Sequence, residues 1–199
     1  MNRKIFWIGL GVLFIVALGA ALSSVLAGPP SFRGMSYAEP YPQAFDFELT
    51  RANGETFRMS DQRGKIVLLF FGFTNCTDVC PTTLAQLKQM YVEISKPEAV
   101  KVVLITVDPQ RDTLKITQDY VNHFDPSFIG LSGAQVKLES IWKNYGVFRE
   151  IAPGSAPTNY EVNHTARITL IDQNGTLRLS YGTPISTNDM LHDIEILLK

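Results

Sequence analysis

The sequence predicts one α/β domain, a central mixed sheet flanked by helices, following a short apolar N-terminal segment. Three observations predict it. Two continuous apolar runs, Ile66 to Phe71 and Val100 to Val107, have the length and composition of strands buried on both faces. Segments of helical spacing alternate with these runs, which makes the central strands parallel. Near the end, Arg167 to Ile171 and Leu177 to Tyr181 flank Asp172-Gln173-Asn174-Gly175, whose Asn-Gly pair suits a tight hairpin.

The first element is the run from Ile5 to Ala27, which carries no charge. At ~1.5 Å per residue it reaches ~30 Å, the thickness of a bilayer core. Arg3 and Lys4 precede it, so the positive-inside tendency holds the N-terminus in the cytoplasm and the domain on the far side. Residues 1–27 are therefore expected to form a single-pass membrane anchor. A cleaved signal peptide, with Val25 and Ala27 as small cleavage-site residues, is the competing reading; typical signal cores are shorter, about 7–15 residues. No cysteine near the end of the run supports a lipid anchor. Residues 28–43 contain Pro29, Pro30, Pro40 and Pro42 and are expected to be an extended spacer.

Residues 44–199 then form the domain. Phe45 to Leu49 and Thr56 to Met59 flank the turn Ala52-Asn53-Gly54, an extra N-terminal hairpin. The strand Ile66 to Phe71 leads through Gly72-Phe73-Thr74-Asn75 into a helix from Pro81 to Ser95, with Leu84, Leu87, Tyr91 and Ile94 on one face. After the strand Val100 to Val107, Asp112 is a candidate cap for a helix running to about His123. Phe128 to Leu131 reads as a short strand and Val136 to Tyr145 as a helix. The C-terminal hairpin follows, then an amphipathic helix from Thr187 to Leu198 with Thr187 as its cap. A β-α-β half joined to a terminal β-β-α half is the thioredoxin-like arrangement.

Bulk composition narrows the function. A formal net charge of −1 leaves no basic footprint for nucleic acid. The chain has only 2 cysteines, both within one five-residue window, so a disulfide-stapled framework is excluded. A close pair instead suggests thiol redox chemistry or a soft-metal site.

Cys76-Thr77-Asp78-Val79-Cys80 follows a buried strand and opens a helix. The helix dipole and free backbone N–H groups there favour the thiolate, which is both nucleophile and metal ligand. Thioredoxin-like oxidoreductases separate their cysteines by two residues; here three intervene, a spacing that also suits two thiolates around a metal ion. Such oxidoreductases place a cis-proline before the C-terminal hairpin. This chain has Val162-Asn163-His164-Thr165 there, and no proline between Tyr160 and Asp172. His164 is thus a candidate third ligand, with a hydrogen-bonded loop histidine as the alternative. Two thiolates and one imidazole form a soft set that suits copper(I), or copper(II) with a further oxygen; zinc normally takes a fourth ligand. His123 and His192 lie in predicted helices away from any motif and read as structural or solvated.

The segments Phe71-Gly72-Phe73-Thr74-Asn75-Cys76 to Cys80-Pro81-Thr82-Thr83, Thr106-Val107-Asp108-Pro109-Gln110-Arg111-Asp112-Thr113 and Asn163-His164-Thr165 resemble the signature of the Sco/SenC family. The resemblance covers about residues 44–199 and the N-terminal segment. It implies a thioredoxin-fold metallochaperone that binds one copper ion through Cys76, Cys80 and His164. It further implies a place in the inner (cytoplasmic) membrane, with the domain in the periplasm. The implied partner is the copper-centre subunit of cytochrome c oxidase, supplied with copper or kept reduced, with other copper chaperones or thiol reductases as further partners. Asp108 would tune the site or dock a partner; its plain alternative is a turn residue before Pro109. Two positions depart from the family pattern: Thr77 stands where proline is usual, and Asn163 where aspartate is usual.

Two other functions share these residues. A membrane-anchored thiol-disulfide reductase would use Cys76 and Cys80 as attacking and resolving thiols, without His164. A peroxiredoxin-like peroxidase would need a Pro-x-x-x-Thr/Ser-x-x-Cys loop; Thr74 is near, but the loop-start proline is missing.

Overall fold

The computed structural model describes residues 31–152 and 160–199, together with Trp7 and Gly11. The chain divides into two compact units, Met1–Ser31 and Phe32–Lys199. The expected anchor, residues 1–27, lies almost wholly outside the described residues. Among the described residues no helix is long and apolar enough to cross a membrane.

The second unit is built on a six-stranded mixed sheet. Its elements in chain order are β1 (Met35–Ser36), β2 (Glu48–Thr50), β3 (Thr56–Arg58), β4 (Ile66–Gly72), α1 (Val79–Glu93), β5 (Val100–Thr106), α2 (Leu114–Asn122), β6 (Ile129–Leu131), α3 (Gln135–Asn144), β7 (Arg149–Ile151), β8 (Val162–His164), β9 (Arg167–Ile171), β10 (Leu177–Gly182) and α4 (Thr187–Leu197). The sheet order is β1-β10-β9-β4-β5-β6, with β4, β5 and β6 parallel and β9, β10 and β1 antiparallel. Every residue of β4 is buried, as its unbroken apolar run requires of a central strand. α1 turns Leu84, Leu87 and Met90 into the core and packs against α4; α2 packs against β6. This is the thioredoxin-like arrangement with the expected extra hairpin, β2–β3.

The topology brings three chain segments to one end of the sheet. Gly72 is in register with Thr106, so the loops leaving β4 and β5 emerge side by side. β9 runs antiparallel to β4, so its entry at Arg167, just after β8, reaches the same end. Loops at the carboxyl ends of parallel strands are where α/β folds gather their sites.

Three local expectations are corrected. Residues 32–43 pack on the domain instead of forming a detached spacer. Phe32 lies against the core, β1 pairs with β10, and the backbone N–H groups of Arg33 and Gly34 donate to Asp193 at 2.9 and 2.8 Å. The free edge of β10 has backbone groups to satisfy, and a proline-rich segment can still supply carbonyls: Leu177 N–H donates to Pro42. Secondly, Thr113 rather than Asp112 caps α2, accepting from Ile116 N–H, and Ser186 rather than Thr187 caps α4, accepting from Asp189 N–H. In both cases the side chain one residue away had the reach to satisfy the first free N–H groups. Thirdly, residues 149–164 contain a β7–β8 hairpin that alternation did not reveal.

Candidate metal centre

The loop leaving β4 turns directly into α1, and Cys76 sits in that turn. The Cys76 N–H donates to the Phe73 carbonyl at 3.4 Å, and the Cys80 N–H, in the first turn of α1, donates to Cys76 Sγ at 3.4 Å. Asp78 at the helix boundary caps nothing with its side chain, so the Cys76 sulfur takes the acceptor role that a serine or aspartate usually fills. Cys76 is partly exposed and Cys80 fully buried. Gly72 makes room for the second sulfur: a Cβ there would stand 3.0 Å from Cys80 Sγ and 3.1 Å from the Phe70 ring.

The two thiols are strongly polarised. The Cys80 thiol donates to Cys76 and, with the Cys80 and Asp78 N–H groups and the His164 ring, outweighs burial and holds the Cys76 pKa down at about 5. The same hydrogen bond, burial and the neighbouring Cys76 and Asp112 charges push Cys80 far up. At neutral pH the pair is therefore one thiolate and one thiol.

His164 ends β8, opposite Arg149. Its Nδ1 lies 3.1 Å from the Thr165 carbonyl. A carbonyl can only accept, so Nδ1 carries the proton and Nε2 keeps a free lone pair. The ring packs edge-on against Phe73, with centroids 5.7 Å apart. Burial pushes the His164 pKa below its ordinary value, against the opposing pull of the Thr165 carbonyl and Cys76. The imidazole is therefore neutral at pH 7, the form that ligates metals.

Cys76 and His164 open onto one groove of about 530 Å³, whose walls also include Thr77, Arg111, Tyr160 and Asn163. Cys80 lies behind this wall. Among the described residues no three His, Cys, Asp or Glu side chains are drawn together tightly enough to hold a metal ion. The predicted trio is thus brought together in part: Cys80 bonds to the Cys76 sulfur, and the imidazole lines the same groove as Cys76. The physical reason is visible in the bonding. The Cys80 thiol satisfies itself on the Cys76 thiolate, and His164 on its own chain.

Asp108 is fully buried and presents no docking surface. It accepts from the Tyr160 hydroxyl at 2.5 Å and from Arg111 Nε. Arg111 stacks 3.8 Å over the Tyr160 ring and donates to the Tyr160 carbonyl at 2.9 Å. Asp108 therefore braces the segment that enters β8. Asp112, Gly72, Arg111 and Tyr160 escaped the sequence reading as site residues. The spacing of two aspartates just beyond the end of β5 was the available signal for the first. The departures Thr77 and Asn163 both face the groove. His123 and His192 do not line it.

Fold and site together define a thioredoxin-like domain with a polarised cysteine pair and a neutral histidine facing it. The chain belongs to the SCO1/SenC family, whose model matches residues 36–199. It is 34% identical over 171 residues to an SCO2-like protein of Rickettsia felis, covering 84% of this chain and 81% of that protein. The solution structure of apo Sco1 from Thermus thermophilus is similar with a TM-score of 0.77 and 35% identity, over 86% of this chain and 99% of that one. The structure of Bradyrhizobium japonicum ScoI with copper bound is similar with a TM-score of 0.69 and 30% identity, over 77% and 97%.

Proposed function

We propose that the chain is a copper metallochaperone that takes one copper ion through Cys76, Cys80 and His164. The observation that carries this is that one groove is lined both by Cys76, a thiolate, and by His164, a neutral imidazole whose Nδ1 carries the proton. The copper-bound relative supports the choice of ion, and so does the soft donor set. Cys76 and His164 are already in their ligating protonation states at neutral pH. Cys80 must release its proton and turn its sulfur from the thiol contact to join them. That release couples binding to pH. A client bearing more thiolates then withdraws the ion by ligand exchange. The family resemblance of the three signature segments points to the binuclear copper centre of cytochrome c oxidase as that client. The uncharged run from Ile5 to Ala27, after Arg3 and Lys4, supports a single-pass anchor in the inner membrane with the domain in the periplasm.

Copper titration of the reduced full chain in detergent, beside its Cys76→Ser, Cys80→Ser and His164→Ala variants, tests this reading. One tightly held ion is expected in the parent protein and none in the cysteine variants. Stoichiometric copper in Cys76→Ser would reject the assignment.

One observation favours a second reading, a narrow thiol-disulfide reductase. The split between a low Cys76 pKa and a high Cys80 pKa is that of an attacking and a resolving thiol. His164→Ala separates the two: the reductase persists, and the chaperone fails.

A further inference from the structure

We infer that Asp112 is a positioning residue for the thiol loop, holding Cys76 at the helix start through Thr74. The inference rests on the reading of Cys76 and Cys80 as the working thiols.

The side chain of Asp112 is fully buried in the turn between β5 and α2. Its Oδ1 accepts from the Thr74 hydroxyl at 2.5 Å, and its Oδ2 from the Thr74 N–H at 3.0 Å and the Thr106 hydroxyl at 2.6 Å. The backbone of Asp112 is itself fixed. Its N–H donates to the Asp108 carbonyl at 2.9 Å, and its carbonyl accepts from the Ser132 hydroxyl at 2.5 Å. The carboxylate thus ties the end of β5 to the loop leaving β4, and it grips Thr74 by both backbone and side chain.

Thr74 stands two residues before Cys76, and the intervening chain is a tight turn closed by Cys76 N–H on Phe73. Fixing Thr74 fixes the direction from which the chain enters Cys76. That in turn sets the Cys76 sulfur against the N–H of Cys80. Asp112 does this as a buried carboxylate, while Arg111 beside it is committed to Asp108. No ion pair to Asp112 occurs among the described residues. Burial pushes the Asp112 pKa up, and the donors of Thr106 and Thr74 oppose that push, so the carboxylate depends on the contacts it makes to the thiol loop and the strand end. What the carboxylate adds is three-point acceptance: two lone pairs aimed at one residue of the thiol loop and a third at the strand end.

The test is the thiol–disulfide equilibrium of the full chain against glutathione, measured for Asp112→Ala, Thr74→Val and the double variant. The clamp accompanies free cysteines with the Cys76 sulfur set against the Cys80 N–H, so it favours the reduced pair. Losing it should shift the equilibrium toward the disulfide by about tenfold, or about 30 mV for a two-electron couple. Thr74→Val removes the hydroxyl contact and keeps the backbone one, so it should give a smaller shift in the same direction, and the double variant should shift little more than Asp112→Ala alone. Asp112→Asn, which keeps one acceptor, should fall between. A merely structural Asp112 would lower the melting temperature and leave the equilibrium of the folded protein unmoved; that result overturns the inference. If Asp112→Ala does not fold, an unmoved equilibrium in Thr74→Val overturns it equally. The readout needs no copper. Failure of the parent protein to bind copper would strike the proposed function alone, whereas normal copper binding with unshifted equilibria would strike this inference alone.

Discussion

Replacing Cys80 with alanine should raise the Cys76 pKa by about one to two units. The largest influence holding that thiolate down is the thiol of Cys80, buried behind it. A hydrogen bond to a charged group contributes about 1.5–3 kcal/mol, and one pKa unit corresponds to about 1.4 kcal/mol. The backbone N–H donors of Cys80 and Asp78 survive the substitution, so the value should climb from about 5 only part of the way to an ordinary thiol. The assay is the rate of iodoacetamide alkylation of the reduced protein across pH, followed by mass. At pH 4.5 about a quarter of the parent Cys76 and at most a few per cent of the variant's is thiolate, so the variant reacts more slowly. At pH 9 the order reverses. A thiolate of higher pKa is the better nucleophile, with a Brønsted slope of about 0.4–0.5, so the variant plateau should be about 2.5- to tenfold higher. Two rate curves that cross are the signature. A parent midpoint near the usual ~8.5, or an unmoved midpoint in Cys80→Ala, would refute the reasoning.

Copper affinity should rise about one log unit per pH unit between about pH 6.5 and 9, because only Cys80 still holds a proton there and binding expels it. Chelator competition measures this, and a flat profile would remove Cys80 from the ligand set. Below the Cys76 pKa of about 5 the slope should steepen, since a second proton must then leave. Gly72→Ala would set a methyl group 3.0 Å from Cys80 Sγ and 3.2 Å from Leu104. Urea unfolding should show a loss of about 1–3 kcal/mol, with weakened copper binding. Tyr160→Phe deprives buried Asp108 of its hydroxyl donor and loosens the entry to β8. It should cost about 1–3 kcal/mol in the same assay and lower copper affinity, while leaving the Cys76 alkylation midpoint in place.

The core strands were legible because nothing competes with hydrophobic burial there: β9 begins and ends where its apolar pattern does, and β4 and β5 differ by one residue. The cysteines were legible because their chemistry is written in residue type and their setting in the strand before them. Less legible was anything decided by a partner distant in sequence. Asp112 looks like a helix cap until Thr74, 38 positions away, turns out to hold it. Residues 32–43 look like a spacer until the edge of β10 recruits them. β8 is too short for alternation to register, and it exists because β7 pairs with it. Gly72 reads as the first residue of a loop, and only the packed sulfur behind it explains why no side chain fits.

Copper-edge X-ray absorption of the loaded full chain, beside His164→Ala, reports the donor atoms themselves. Two sulfur neighbours and one imidazole nitrogen are expected, with the imidazole signal lost in the variant. A site without sulfur, or a spectrum unchanged when His164 is removed, would contradict the three-ligand assignment.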